Sequence, residues 1–273
     1  MNSRLLMQIA VLSVGLLQGC ATRQNPDPLE AMNRKFFSFN EALDDAVLKP
    51  VATGYKKVAP SPLRTAISNF GSNFKDLWSA VNLFLQGHPG DAATQLMRVS
   101  VNSTFGLAGL IDIATPMRLE RQTEDFGQTL GVWGVKPGAY IVWPLLGPST
   151  MRDSLDIPGD FYFSARTVIG DAATANTVGA FQVVNARAAV LNATNLLGEV
   201  ALDKYSFVRA AYLQRRESLI YNGDPPEDDD DADEGEPAPA GKEPQSKAEF
   251  LDDFGPDITL AELQGLRASD LVR

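Results

Sequence analysis

Few side chains in this sequence have types and spacings that could support acid–base or nucleophilic catalysis. His88 is the single histidine of the 273 residues, so it has no second imidazole with which to share a metal ion or a proton. It stands before Pro89 and Gly90, which predicts a surface turn. No serine elbow, glycine-rich phosphate loop or paired-cysteine metal motif is present in the sequence. We therefore predict that the protein is not an enzyme and holds no cofactor or metal ion.

Two carboxylates could still meet in space. Asp125 and Asp153 are candidates for such a pair, which is an arrangement used in acid–base catalysis. Arg121 and Arg152 lie near them in the chain, and this favours ion pairs on a solvated surface instead. Nucleic acid is not an expected partner, because no basic patch follows the amino-terminal region.

Cys20, the only cysteine, indicates a different chemistry, the covalent attachment of lipid. Arg4 precedes an apolar run over residues 5–17, and Leu17, Gln18, Gly19 and Cys20 end that run. This order is typical of a secretory signal that is cleaved before an acylated cysteine, although Gln18 is bulkier than the small residue usual there. We predict a signal peptide over residues 1–19, with palmitate among the acyl chains on Cys20, and a lipidated linker over residues 20–26. The alternative is a buried free thiol.

The negative charge of the chain is concentrated at its carboxyl end. The formal net charge is -10, yet residues 224–273 alone carry sixteen acidic and four basic side chains, so the rest of the chain is nearly neutral. A near-neutral body can lie against an anionic membrane, whereas this tail would be repelled. We predict that residues 224–273 are largely disordered. Leu260, Leu263 and Leu266 allow a short docking helix there, and an inert tail is the alternative.

Residues 126–153 form the stretch around which the other elements should be organised. Gly127, Gly131, Gly134 and Gly138 recur every three or four residues, which removes side chains from one side of the backbone and permits a close approach. Prolines at 137 and 144 prevent one long helix, and the segment is almost uncharged. It is therefore either a buried connection or a hairpin that contacts lipid.

The remaining pattern predicts an all-α body. Asp27 is predicted to cap a first helix, with Glu30 completing a capping box and the helix ending before Pro50. Its apolar side chains recur at three- and four-residue steps and form one face, which is either part of the core or a contact with the membrane surface: Leu29, Met32, Phe36, Phe39, Leu43 and Val47. Further helices are predicted from Ser61 and over residues 74–85, 91–105, 171–197 and 203–222, with Gly87 and Gly223 as two of the stops.

Eight segments of the chain, in order, resemble the MlaA/VacJ family of outer-membrane lipoproteins. They include DPLEAMNRKFFSFN at residues 27–40 and GPSTMRD at residues 147–153. The others lie at residues 60–64, 68–70, 82–87, 102–106, 127–131 and 211–216. Two departures are visible, because Met32 stands where an aromatic residue is expected and the acidic extension is longer than the family requires.

The resemblance implies a helical domain over residues 27–223 that forms a single ring-like body with a glycine-rich apolar hairpin. It implies an outer-membrane protein, lipid-anchored on the periplasmic side, that removes misplaced phospholipids from the outer leaflet through an amphipathic channel. A trimeric porin and the soluble periplasmic carrier MlaC are the implied partners. The alternatives are a structural lipoprotein that tethers partners without moving lipid, and a lipase-like enzyme.

The hairpin is predicted to border this channel and to control lipid entry. The residues expected to handle lipid there are Gly127, Gly131, Gly134, Gly138, Tyr140 and Trp143.

Overall fold

A computed structural model describes residues 26–200 and 202–225 of the chain. The predicted signal peptide, Cys20 and nearly all of the acidic tail lie outside the described residues. Within them the chain is mostly helical, with one antiparallel hairpin, and this confirms the predicted fold class.

The elements follow one another along the chain in this order: α1 (Glu30–Leu43), a π-helical turn (Asp44–Leu48), α2 (Lys49–Val58), α3 (Ser61–Leu85), α4 (Pro89–Phe105), α5 (Phe126–Val132), β1 (Tyr140–Trp143), β2 (Gly147–Thr150), a 3-10 helix (Asp153–Asp156), α6 (Ile157–Tyr162), α7 (Ala165–Val168), α8 (Ala172–Val200) and α9 (Lys204–Ile220).

The predicted end of the first helix before Pro50 is wrong. The π-helical turn Asp44–Leu48 leads directly into α2, whose second residue is Pro50. Proline lacks an N–H and its ring collides with the carbonyl four residues back in an α-helix. The wider π-helical turn changes the pairing of these carbonyls, so the chain continues as a helix. The helical path ends at Val58 instead, since Ala59 adopts an extended conformation before Pro60.

Asp27 does not cap α1, contrary to the prediction. Leu29 occupies the capping position without a side-chain hydrogen bond, and the Glu30 carboxylate pairs with Arg34 instead of closing a capping box. The Asp27 carboxylate is buried and accepts hydrogen bonds from Asn33 and Arg209. Asp27 therefore stabilises contacts between elements and not the start of α1.

The helix boundaries around α3 and α4 differ from the prediction in two places. Residues 61–85 form one continuous helix instead of two, and in its middle a Cβ at Gly71 would lie 3.1 Å from Gln182 Nε2 of α8. Helix α4 begins at Pro89 with His88 at the cap, so Asp91 is not the capping residue. The stop at Gly87 is confirmed, since its φ is +84°.

The boundaries of α9 agree with the prediction. The Asp203 side chain accepts hydrogen bonds from the N–H groups of Tyr205 and Ser206 at the start of the helix. Gly223 ends it with a φ of +89°, and its N–H donates to the Ser218 carbonyl at 2.7 Å.

The apolar face of the first predicted helix is not buried as part of the core, and Leu29, Phe36 and Leu43 on it are half-buried. Met32, Phe39 and Val47 are exposed, whereas Asn33 and Asn40 on the same helix are buried. More polar or charged side chains than apolar ones are buried among the described residues. The main apolar cluster is small and consists of Phe37, Tyr140, Val142, Tyr205, Val208 and Tyr212.

None of the helices in the described part of the chain has both the length and the apolar character that a membrane crossing requires.

Candidate functional site

Helix α5 packs its glycines against charged and apolar groups of the 3-10 helix and of α9. A Cβ on Gly127 would lie 2.6 Å from Asp153 Oδ1 and 2.8 Å from Arg216 Nη2. A Cβ on Gly131 would lie 2.7 Å from Ile220 Cδ1. Real Cβ atoms do not approach other atoms so closely. Gly127 also faces the Asp153 backbone Cα at 2.9 Å and therefore requires glycine, whereas the neighbours of Gly131 are side-chain ends that can shift. This agrees with the close approach that the glycine spacing predicts.

The next two glycines turn the chain from α5 into the hairpin. Gly134 has a φ of +84° and Gly138 a φ of +69°, both in the left-handed region. A Cβ on Gly134 would meet nothing within 4 Å, whereas one on Gly138 would lie 3.0 Å from Met151 Cβ. Conformation alone therefore requires glycine at 134.

Helix α1 holds the free edge of the hairpin through two asparagines. Strands β1 and β2 pair in antiparallel register, with Tyr140 opposite Thr150 and Val142 opposite Pro148. Asn33 accepts from the Val142 N–H and donates to the Tyr140 carbonyl, each at 2.9 Å. Asn40, two helical turns later, accepts from the Leu145 N–H at 2.9 Å and donates to the Trp143 carbonyl at 3.0 Å. The side chains of α1 thus replace a third strand.

A buried charged cluster joins α5 and the end of the hairpin to α9. Arg216 donates to both Asp125 oxygens at 2.6 and 2.9 Å and to Asp153 at 3.0 Å. Tyr212 donates to the other Asp153 oxygen at 2.8 Å, and Arg152 donates to Asp153 at 2.9 Å. Burial alone would lower the pKa of Arg216, but Asp125 and Asp153 hold it well above its usual value.

This cluster corrects the prediction of solvated carboxylates. Asp125 and Asp153 do meet in space, but both are buried around Arg216. Arg121 pairs with Asp76 instead of Asp125, while Arg152 pairs with Asp153 as predicted. Two carboxylates with two guanidiniums form a neutral and hydrogen-bonded unit, whose function is to hold α5, the hairpin and α9 together.

A second buried network ties the amino-terminal end of the described chain to β1 and α9. Asp27 binds Asn33 at 2.8 Å and Arg209 at 2.9 Å, and it also accepts from the Tyr205 hydroxyl. The Pro26 carbonyl accepts from the N–H of Tyr140 at 2.9 Å. Burial raises the pKa of Tyr205, and Asp27 raises it further. From Pro26 onward, the chain is therefore fixed against the hairpin.

Two tryptophans with exposed rings lie near the hairpin, one directly after α5 and one at the end of β1. Trp133 is 54% exposed after α5, and its Nε1 donates to the Leu85 carbonyl at 3.1 Å, beside the exposed Phe84. Trp143 is 37% exposed, and its Nε1 donates to Ser154 Oγ at 2.8 Å. An indole with an exposed ring and a satisfied N–H suits the boundary between water and hydrocarbon.

The predicted site residues divide into a buried and an exposed group. Gly127 is buried and Gly131 is half-buried where α5 packs against α9 and the 3-10 helix. Tyr140 is fully buried in β1, and Gly138 is half-buried beside Met151. Gly134 has open space beside it and Trp143 is partly exposed, so both can face a ligand.

The described residues contain no cluster of carboxylates, histidine and cysteine that could hold a metal ion. The His88 side chain is 47% exposed and lies 3.4 Å from Asp91 on the surface. The predicted surface position of His88 is thus confirmed.

Sequence reasoning missed Asn33, Asn40, Asp44 and Arg187 as structural residues. Asp44 and Arg187 form a buried, two-bond ion pair between the π-helical turn and α8, with both distances at 2.7 Å. The recurrence of Asn33, Asn40 and Asp44 at helical spacing was the available signal, because three polar residues on one face can define a buried polar stripe.

Three comparisons connect this architecture to known proteins. A family model for the MlaA lipoprotein matches residues 25–219. The intermembrane phospholipid transport system lipoprotein MlaA of Shigella flexneri is 32% identical over 231 residues, which are 80% of this chain and 90% of that protein. The protein of the same name from Haemophilus influenzae is 32% identical over 227 residues, 78% of this chain and 90% of its own length.

A solved structure shares the fold. It comes from work on the structural basis for maintenance of bacterial outer membrane lipid asymmetry, and it aligns with a TM-score of 0.61 at 35% identity. The alignment covers 71% of this chain and 98% of that one. With the family match over most of the described residues, these findings show that the chain belongs to the MlaA lipoprotein family.

Proposed function

We propose that this protein removes mislocalised phospholipids from the outer leaflet of the outer membrane and so maintains the lipid asymmetry of that membrane. The observation that carries the proposal is the inverted distribution of its side chains. Asn, Gln, Asp and Arg side chains fill much of the interior, whereas many large apolar side chains are exposed. In water, exposed apolar side chains lose the favourable free energy of burial. Against lipid, the same side chains contact hydrocarbon while the polar groups stay inside the protein.

Much of the polar interior is hydrogen-bonded within the protein. Arg98 is completely buried, donates to the Leu119 carbonyl and pairs with Asp112 at 3.3 Å. Asn102 on the same helix accepts from the N–H groups of Ile113 and Ala114 at 2.8 and 3.0 Å. Buried polar groups cost little only when they are bonded in this way. A body stabilised by such networks does not need its exposed apolar side chains for its own core.

The exposed apolar side chains supply the surface that would face acyl chains. Several occur as neighbours in the chain, and Trp133 joins two such groups through its bond to the Leu85 carbonyl. They include the following residues: Phe84, Leu85, Leu96, Met97, Phe105, Leu107, Leu110, Ile111, Val132, Trp133, Trp143, Leu145 and Leu146.

In this proposal residues 126–153 border an amphipathic channel through which lipid passes. Gly134 and Gly138 give the connection between α5 and the hairpin a shape that other residues adopt only with strain. Trp143, Leu145 and Leu146 present apolar side chains at the hairpin turn. Asn40 holds this turn in place by its bonds to Trp143 and Leu145, so the border of the channel is rigid.

The proposal includes an anchor and two partners. Cys20 would carry the lipid that holds the protein on the periplasmic side of the outer membrane. The chain from Pro26 onward is bound to β1, so only a short linker would separate the anchor from the hairpin. A trimeric porin would adjoin the protein in the membrane, and the periplasmic carrier MlaC would receive the lipid.

The experiment is to delete the gene and measure the phospholipid exposed on the cell surface by its sensitivity to added phospholipase. We expect more exposed phospholipid after deletion and normal levels after complementation. Unchanged surface lipid would instead indicate a protein that only tethers partners, and altered lysophospholipid without surface exposure would indicate a lipase.

The site itself is tested by complementation with Gly134→Val. This variant adds strain at a position with a φ of +84°, but its Cβ has no neighbouring atom within 4 Å, so abundance should hold while lipid removal falls. Gly54→Val is the matched control, because a Cβ there also meets nothing within 4 Å and its φ is in the ordinary region. Loss of the Gly134→Val protein from the membrane would show a packing role instead.

A further inference from the structure

Residues 46–75 carry positive charge and no negative charge. They contain five lysines or arginines and no aspartate or glutamate. Lys56 and Lys57 lie in the last turn of α2, and Arg64 lies in the first turn of α3. None of these three cations forms an ion pair with a described carboxylate, and Arg64 Nε is buried without a hydrogen-bond partner. Such cations attract carboxylates from another segment or molecule.

The three cations lie at one corner of the body. A link of two residues separates α2 from α3, and Asn185 of α8 ties the two helix ends together. The Tyr55 hydroxyl donates to Asn185 Oδ1 at 2.9 Å, and Asn185 Nδ2 donates to the Arg64 carbonyl at 3.1 Å. Burial raises the pKa of Tyr55, and the charge of Arg64 opposes this rise, so the guanidinium lies near the residue that precedes Lys56.

Apolar side chains are exposed between these cations. Val58 at the end of α2 is 85% exposed, and Leu63 at the start of α3 is 49% exposed. We call this surface the basic corner, and it consists of Lys56, Lys57, Val58, Leu63 and Arg64. Its mixture of unpaired cations and apolar groups fits a partner that carries both acidic and apolar side chains.

The chain itself contains a segment of the complementary composition. Residues 249–263, which lie outside the described residues, have five acidic side chains and no basic one. Between the acids stand the following apolar residues: Phe250, Leu251, Phe254, Ile258, Leu260 and Leu263. Residues 227–236 are more acidic, but alanine is their only apolar residue, so they match the charge of the basic corner and not its apolar part.

The length of the intervening chain allows this segment to reach the basic corner. The end of α3 bonds to Trp133, and α5 contacts the end of α9, so the tail leaves the body near the far end of α3. Helix α3 is about 37 Å long. Twenty-four residues lead from Pro225 to Glu249, and they span up to about 80 Å when extended, with a root-mean-square reach of about 25–30 Å.

The surface of an anionic membrane is the competing occupant of the basic corner. Attachment through the same chain gives the tail an effective concentration on the order of millimolar. The membrane would also repel the acidic tail, whereas the basic corner compensates its charge. Composition and connectivity therefore both favour the tail.

We propose that residues 249–263 fold back onto the basic corner, with acidic side chains against its three cations and apolar side chains against Val58 and Leu63. This contact goes beyond the function proposed above and does not depend on lipid transport. It holds the acidic tail against the body on the side of α2.

The test measures the proximity of the tail to the basic corner in the full-length lipoprotein in neutral detergent. A nitroxide is attached to Ala261→Cys, and the methyl signals of Val58 and Leu63 are recorded before and after the nitroxide is reduced. We expect both signals to be broadened by the nitroxide. Leu85 is the internal reference, because it lies about 33 Å from Leu63 along α3 and should not be broadened. The natural sequence, treated with the same reagent, controls for labelling at Cys20.

Charge reversal tests the attraction. Lys56→Glu with Lys57→Glu should reduce the broadening about fivefold to tenfold, because attractions between exposed charges become repulsions. The matched control reverses two exposed cations elsewhere, Lys35→Glu with Arg118→Glu, and should leave the broadening unchanged.

Exchange of the charges across the contact separates binding from folding. Asp252→Lys with Asp253→Lys, added to Lys56→Glu with Lys57→Glu, should restore the broadening, since opposite charges face each other again. Restoration would also show that reversal at the basic corner leaves the body folded. Failure to restore the broadening would overturn the role of charge in the contact.

The remaining outcomes identify the occupant. Absence of broadening by the tail label, or equal broadening after reversal of Lys56 and Lys57, overturns the proposal. Broadening by a spin-labelled phosphatidylglycerol and not by the tail assigns the basic corner to the membrane and also overturns it. Broadening that occurs only between differently labelled molecules in a mixed sample assigns the contact to a second copy, with the same consequence.

Discussion

Removal of the Arg216 guanidinium tests whether the buried charged cluster holds the hairpin region together. In Arg216→Met the three hydrogen bonds at 2.6, 2.9 and 3.0 Å are lost, and two carboxylates that are 5% and 7% exposed lose their shared cation. Breaking a buried pair on one side costs about 3–5 kcal/mol. Asp153 keeps Tyr212 and Arg152 as donors, and Asp125 keeps Gln128, so we expect the lower end, about 3 kcal/mol.

Urea unfolding of the full-length protein in neutral detergent, followed by far-ultraviolet circular dichroism, measures this loss. Arg118→Met is the control for removal of an exposed arginine and should change the free energy of unfolding by less than about 0.5 kcal/mol. The double variant Arg216→Met with Asp125→Asn should lose less than the two single variants together, by about 1 kcal/mol or more. A loss below about 1 kcal/mol for Arg216→Met, or additive losses, would refute the reasoning.

Three further predictions concern the same region. Gly127→Ala places a Cβ 2.6 Å from Asp153 Oδ1 and should lower the free energy of unfolding by about 1–3 kcal/mol, whereas Gly54→Ala, with open space, should not lower it; equal effects on the urea midpoint would contradict the packing argument. Asn40→Leu leaves the Trp143 carbonyl and the Leu145 N–H without their partner, so it should lower the free energy of unfolding by about 1–3 kcal/mol and increase amide exchange at Leu145. The control Asn192→Leu, at an exposed position, should change neither. Burial and, secondarily, Asp125 raise the pKa of Glu124 to about 7, against the hydrogen bond from Gln86 that lowers it. This folded-state pKa lies above the ordinary value of 4.5, so the stability contributed by protonated Glu124 is present at low pH and is lost as pH rises through about 7. Glu124→Gln should therefore flatten the fall in urea midpoint between pH 5 and pH 8. The same slope in both proteins would contradict this role of Glu124.

Local signals in the sequence predicted the elements and several of their ends. The stops at Gly87 and Gly223 depend on a backbone conformation that glycine adopts most easily. The hairpin after α5 follows from prolines and glycines that prevent a long helix. Such features involve residues close in the chain, so a sequence is sufficient to reveal them.

The orientation of α1 could not be predicted from its pattern. The rule that the apolar face of a helix is buried assumes that water surrounds the protein. Here Met32 and Phe39 face outward, while Asn33 and Asn40 bind the backbone of β1 more than a hundred residues away. The apolar periodicity of α1 is present, but whether the apolar or the polar face is buried depends on the surrounding solvent and on the strand that α1 contacts.

By itself the sequence determined the helical class, the hairpin and the family, because these depend on local pattern and on segments in a recognisable order. Only the tertiary structure decided which charges are compensated. It gathers Asp125, Asp153, Arg152 and Arg216 into one neutral cluster, and it leaves Arg64 without an acidic partner among the described residues. Both results depend on distances between elements far apart in the chain, and residue spacing contains no record of those distances.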